Sequence, residues 1–158
     1  FEVLALLPSL NVLDISGDSI DQLPPSVGKL KSLQYLELSY NQIEVLPAEF
    51  SNLQNLQILS INGDRQFNLK KNIEILSRLP KLKELHLEGD HFSDIPPGIR
   101  NLVSLEELYL NDNDLKVVPK EFKEMKNLRY VDMHHNRLPH IQGAPINDDL
   151  APRITFKF

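Results

Sequence analysis

A chain of 158 residues, 41% of them hydrophobic, is long enough to bury one core. Its net charge of -5 and pI ≈ 5.5 disfavour nucleic acid or an anionic membrane as the main partner, because both are bound through a basic footprint. There is no cysteine, hence no disulfide framework, and no apolar run approaches the roughly 20 residues of a membrane span.

The chain opens on Phe1-Glu-Val-Leu-Ala-Leu-Leu7, which is too short for a signal peptide and carries Glu2. The first residue is not Met, as expected of a processed or trimmed piece. One stretch then recurs. The first copy runs Leu7, Leu10, Leu13, Ile15, Asp18, Ile20, Leu23-Pro24, Val27. The second runs Leu30, Leu33, Leu36, Leu38, Asn41, Ile43, Leu46-Pro47, Phe50. The third begins Leu53, Leu56, Leu59, Ile61, Asp64 and then departs from the pattern. The fourth runs Leu79, Leu82, Leu85, Leu87, Asp90, Phe92, Ile95-Pro96, Ile99. The fifth and clearest copy runs Leu102, Leu105, Leu108, Leu110, Asn113, Leu115, Val118-Pro119, Phe122. The sixth runs Met125, Leu128, Val131, Met133, Asn136, Leu138, Ile141. Successive copies open 23, 23, 26, 23 and 23 residues apart, a regularity that chance does not readily produce.

The third copy is three residues longer and lacks Leu-Pro. In it Ile73 and Leu76, with Leu69 and Leu79, follow a helical period, and Asn68 stands where a cap belongs. About two turns of α-helix are predicted there, where the other copies have short 3₁₀ or irregular turns. Phe1–Leu10 aligns with Ile73–Leu82, so the chain is expected to begin inside the back half of an earlier copy, with a higher period of 72 residues. After a turn-rich break past Ile141, residues 154–158 alternate apolar and polar and predict a further strand, with Phe156 and Phe158 in the inward places. Neither end carries an obvious polar cap, as expected of a piece of a longer protein or, failing that, of end-to-end association.

The pattern L-x-x-L-x-x-L-x-L-x-x-N-x-L, with Leu-Pro after the Asn position, resembles the 23-residue "typical" leucine-rich-repeat class of Ras-associated scaffolds and bacterial repeat proteins. The resemblance spans nearly the whole chain. It implies an α/β solenoid over residues 1–158: a right-handed horseshoe whose parallel sheet lines the concave face, with short helical or irregular segments on the convex side. In L-x-L the two apolar side chains share one face of a strand and point inward, and the residue between them points out. One copy cannot bury its apolar set alone, but stacked neighbours bury a continuous core.

The Asn position is a second support. An asparagine side chain both accepts and donates, so it serves two kinds of backbone group inside a turn. Here the residues are Asp18, Asn41, Asp64, Asp90, Asn113 and Asn136. An ionised aspartate cannot donate, so those copies must lose or reroute a bond. Each of the three aspartates follows a glycine (Gly17, Gly63, Gly89), whereas the asparagines follow Tyr40, Asp112 and His135. The expectation is that glycine gives the backbone a conformation there that the other residues do not adopt.

The outward positions form columns. The residues between the inward leucines are Asp14, Glu37, Ser60, His86, Tyr109 and Asp132. Those just before are Val12, Tyr35, Ile58, Glu84, Glu107 and Tyr130, and those just after are Ser16, Ser39, Asn62, Glu88, Asn111 and His134. All four tyrosines (Tyr35, Tyr40, Tyr109, Tyr130) fall on or beside this face, and its carboxyl-terminal half is acidic. Aromatic anchors supply rigid contact area, and a field of carboxylates favours a basic partner. The bland alternative is a solvated face of incidental composition. Tyr35, Glu37, Ile58, Glu84, His86, Glu107, Tyr109, Tyr130 and Asp132 are the candidate contacts.

Sharper chemistry is weakly supported. His86 and His91, or His135 and His140, lie five apart, a spacing that should turn the rings different ways and matches no standard metal pattern. No metal site is assigned, and no cofactor is expected. Asp132, His134 and His135 lack a Ser or Cys nucleophile at a matching place, and a shallow sheet encloses no pocket, so the chain is read as non-enzymatic. Asn147-Asp148-Asp149 lacks an EF-hand spacing, and the basic pair Lys70-Lys71 reads as solvation rather than phosphate binding.

The function expected is protein–protein recognition on the concave face. Alternatives are a targeting or sensor arm of a larger enzyme or effector, and a structural or adhesive array on a bacterial surface. The lack of cysteine, and so of the cysteine-rich end caps of many secreted animal repeat proteins, points to an intracellular or a bacterial protein, cell-envelope and secreted ones included.

Overall fold

The computed structural model describes residues 1–139 and 153–158. The readings made for His140, Ile141 and Asn147–Asp149 lie outside these. Each copy of the repeat forms one three-residue strand: β1 Val12–Asp14, β2 Tyr35–Glu37, β3 Ile58–Ser60, β4 Glu84–His86, β5 Glu107–Tyr109 and β6 Tyr130–Asp132. The alternation at the carboxyl end forms β7, Thr155–Lys157. The strands make one seven-stranded sheet in chain order, every neighbour parallel. Its register joins Leu13, Leu36, Leu59, Leu85, Leu108, Val131 and Phe156 in one inward row. Phe156 therefore takes the expected leucine place, and the columns read from the sequence are the columns of the sheet.

The Leu-Pro pairs shape the opposite side. Pro24, Pro47, Pro96 and Pro119 each precede a 3₁₀ helix, at Pro25–Lys29, Ala48–Asn52, Pro97–Asn101 and Lys120–Glu124. Proline's fixed φ holds the chain extended into the turn, and its carbonyl accepts the i+3 amide, from Val27, Phe50, Ile99 and Phe122 in turn. Those four side chains are fully buried beneath the strands. The core runs without a break from Leu23 to Met133 and on to Ile154. At its amino-terminal side Leu13 and Ile15 are only partly buried, and Leu6, Leu7 and Val12 are exposed beside the edge strand β1.

In the third copy α1, Leu69–Ser77, replaces the 3₁₀ turn, and Asn68 caps it by accepting from Lys71 N at 3.1 Å. Leu69, Leu76 and Leu79 are buried as the helical period required, and Lys71 pairs with Glu44 at the surface. The matching segment at the amino terminus forms only a 3₁₀ turn, Leu4–Leu6.

The 3₁₀ segments stack so closely that one residue type is dictated. A Cβ on Gly28 would lie 2.3 Å from the Glu49 carbonyl oxygen in the next copy. Gly28→Ala is therefore expected to destabilise the chain by about 1–3 kcal/mol through forced backbone separation. Urea unfolding read by circular dichroism checks this; an unchanged midpoint would show that the stack yields freely.

The Asn ladder works as the side-chain chemistry requires. Asn41 Nδ2 donates to Ile15 O and Leu38 O while its Oδ1 accepts from Ile20 N. Asn113 donates to Leu87 O and Leu110 O and accepts from Asp90 N and Phe92 N. Asn136 donates to Leu110 O and Met133 O and accepts from Leu115 N. The aspartates only accept: Asp64 takes Ile43 N and Gln66 N, Asp90 Oδ1 takes Asp64 N, and Asp90 Oδ2 is buried without a partner among the described residues. Asp18 is exposed.

The expectation for the preceding glycines fails. Gly17, Gly63 and Gly89 have φ of 69, 66 and 71°, and Tyr40, Asp112 and His135 have 60, 58 and 54°. All six positions are left-handed, because the turn that delivers the ladder residue has the same geometry in every copy. Glycine relieves strain there but does not create a different turn.

Candidate functional site

The solvent-facing side of β4–β6 carries the most organised cluster of the expected contacts. His86 and Tyr109 occupy one row on adjacent strands, and their rings stack with centroids 4.2 Å apart and planes 7° from parallel. Tyr130, on the next strand, tilts against Tyr109 at 5.5 Å. The spacing follows from the sheet itself, since parallel neighbours hold equivalent residues about 4.8 Å apart.

Carboxylates bracket the rings. Tyr109 donates its hydroxyl to Glu107 at 2.7 Å, Tyr35 to Glu37 at 2.9 Å and Tyr130 to Asp132 at 3.3 Å. His86 sits between Glu84 at 3.7 Å and Glu88 at 3.5 Å. Burial, followed by the bond to Glu107 and its charge, pushes the Tyr109 phenol above its ordinary range; burial and the bond to Glu37 do the same at Tyr35. These phenols thus stay neutral donors, each tied to an acidic neighbour.

The outward acidic residues also close the strand ends, a role their spacing did not reveal. Asp14 accepts from Ser16 N, Glu37 from Ser39 N and Asp132 from His134 N, each two residues ahead. Asp132 is the most enclosed, at 4% exposure, with Lys157 Nζ at 2.9 Å and His134 Nδ1 beside it. Its burial pushes the carboxyl up, but hydrogen bonds from His134 and Lys157 outweigh this and hold it below the usual range.

Other expected contacts lie apart from the stack. Tyr35 and Ile58 are half-buried on β2 and β3, side by side. Tyr40 stands at the carboxyl rim, 70% exposed, with its ring covering Gly63. Tyr40 and Gly63, with Asn62, Arg65, Glu88, Gly89, Asn111 and Asp112, line a shallow depression along that rim. His91 pairs with Asp114, whereas His86 pairs with Glu84 and Glu88. His134 and His135, by contrast, meet Asp112 of the preceding copy. Spacing along the chain hides that meeting, because it arises between residues about one repeat apart.

No helix among the described residues is long and apolar enough to cross a membrane. The chain matches the family model described as "Leucine rich repeat" over residues 8–65 and 67–138. A protein flightless-1 homolog of Caenorhabditis elegans is 30% identical over 138 residues, covering 86% of this chain and 9% of that protein. The human volume-regulated anion channel subunit LRRC8A is 42% identical over 65 residues, 40% of this chain and 8% of its own. Among solved structures, a Leptospira interrogans LRR protein superposes with a TM-score of 0.63 at 26% identity, over 87% of this chain and 40% of that one. TLR13, solved as a complex with ssRNA13, superposes at 0.73 with 33% identity, over 84% of this chain and 20% of its own. The chain thus spans less than a tenth of either curated relative. Leucine-rich repeats commonly mediate protein–protein interaction. With the six-copy pattern, the single parallel sheet and a family match over most of its length, the chain belongs to the leucine-rich-repeat family.

Proposed function

We propose that this chain, acting as one solenoid, is a non-catalytic recognition module that binds a protein with a basic surface across the outward, concave face of the sheet. The observation that carries the reading is the His86–Tyr109–Tyr130 stack set among Glu84, Glu88, Glu107 and Asp132. Stacked and hydrogen-bonded rings lose little freedom on binding, so their contact area converts efficiently into affinity. Carboxylates around them attract lysine and arginine side chains and repel phosphates, which favours a basic protein over a nucleic acid. Tyr35, Glu37 and Ile58 extend the surface towards the amino terminus.

A second reading, in which the module is the targeting arm of a longer enzyme or effector, is favoured by the small share of its curated relatives that the chain spans. It assigns the same face the same task.

The test is a pull-down from the source organism with the wild-type chain and a Tyr35→Ala, Tyr109→Ala, Tyr130→Ala variant whose fold is confirmed by circular dichroism. The expected result is a basic protein held by wild type, weakened by added salt and lost by the variant, since buried tyrosine anchors contribute about 2 kcal/mol or more apiece. A partner kept equally by both chains would place recognition elsewhere.

A further inference from the structure

The carboxyl rim of β5 and β6 brings together three groups that the recognition surface does not need. Asp112 lies in the turn after β5, and His134 and His135 lie in the turn after β6. The backbone bond from Asp112 N to His134 O, 3.0 Å, holds the two turns side by side. One carboxylate oxygen and one ring nitrogen from each histidine lie within 4.8 Å of one another, and among the described residues this is the one such cluster. From this geometry we infer that Asp112, His134 and His135 bind a divalent transition-metal ion of the zinc type.

The surroundings resemble those of a built site. Asp112 Oδ1 already meets His135 Nδ1 at 3.0 Å, and the two imidazoles pack edge to face at 4.4 Å. Behind them stand two buried side chains. Asn111, 8% exposed, donates to Asp112 Oδ2 at 2.8 Å, and its own buried Oδ1 has no hydrogen-bond partner among the described residues. Asp132 holds Nδ1 of His134. A carboxylate on one ring nitrogen orients the imidazole and makes the other nitrogen a better ligand.

Two imidazoles and a carboxylate, with no thiolate, suit Zn²⁺, Cu²⁺ or Ni²⁺ and not the all-oxygen preference of Ca²⁺ or Mg²⁺. Ligand bonds of about 2.0–2.2 Å put donor atoms roughly 3.3–3.5 Å apart in a tetrahedral site, so separations of up to 4.8 Å must shorten while the 3.0 Å Asp112–His135 contact opens slightly. Asp112 and His135 are exposed side chains free to rotate by that much. Three protein ligands leave a coordination position for water or for a side chain of a bound protein. The inference does not depend on the recognition reading, since its ligands are not among the stacked rings.

The test titrates ZnCl₂ into the purified chain by isothermal calorimetry, in wild type and in Asp112→Asn and His135→Asn variants. Asparagine tolerates the left-handed backbone at both positions, so the turns are kept. The expected result is one Zn²⁺ per chain, bound at least about tenfold more weakly in each variant, with excess Ca²⁺ failing to compete. Wild type without a binding isotherm, variants with unchanged affinity, or displacement by Ca²⁺ would each overturn the site.

Discussion

Asn72→Leu is expected to lower stability by about 3 kcal/mol, read as a fall in the urea midpoint with unchanged m-value. Asn72 lies in α1 and is fully buried. Its Oδ1 accepts from Leu46 N at 2.7 Å, and its Nδ2 donates to Glu44 O and Asn68 O, each at 2.9 Å. The first two partners belong to the second copy of the repeat. The side chain thus anchors the inserted helix to the copy before it and satisfies backbone groups that have no ladder residue of their own. Leucine has the same branched outline and number of heavy atoms but no polar ones. It would strand the Leu46 amide away from water, an orphan that costs about 1–3 kcal/mol, and leave the Glu44 carbonyl with only its bond from Asn68 N. A loss under about 1 kcal/mol would show that water reaches those groups.

Asp90→Asn is expected to stabilise the chain, by about 2 kcal/mol at pH 8 and by less at pH 5. Burial, together with the nearby charges of Asp64 and Glu88, outweighs the amide bonds Asp90 accepts and pushes its carboxyl up to about 8. The folded chain therefore holds this proton where the unfolded chain has released it. Between about pH 4 and pH 8 the folded form binds more protons, so stability from this group falls as pH rises, and above about 8 it changes no further. The stabilisation is fully present below the unfolded pKa and lost through the folded one. An asparagine removes that slope. It also supplies the donor that the ladder lacks here, because Asp90 Oδ1 accepts the Asp64 amide just as Asn113 Oδ1 accepts the Asp90 amide, leaving Oδ2 where the ladder asparagines carry NH₂. Thermal unfolding of both proteins from pH 5 to pH 9 checks this. A gap in Tm that widens to about pH 8 and then levels is the expected pattern, and a constant gap would mean that Asp90 is ionised throughout.

Much of this was written in the spacing of a few residue types. The leucines two apart dictated which side chains face in, and a repeat of 23 residues dictated which strands are neighbours. The columns of outward residues, including the meeting of His86 with Tyr109, follow from those two periods. The longer third copy likewise announced α1 and its cap, because apolar periodicity and an Asn-led start are local signals. These inferences succeed because in a solenoid each copy touches only its neighbours, so sequence distance maps directly onto space.

What the tertiary structure alone decided are the polar connections that cross between copies. That Asn72 is buried depends on the Leu46 amide and the Glu44 carbonyl, 26 and 28 positions earlier, facing it across the copies, which no pattern within the helix displays. The shared left-handed turn before every ladder residue overrode the different residue types found there. The gathering of Asp112 with His134 and His135, and the cover of Lys157 over Asp132, depend on side-chain direction at the rim. Apolar burial follows from period alone because it is non-directional, whereas hydrogen bonds and ligand sets require particular atoms at particular distances and angles, and only the folded stack sets those.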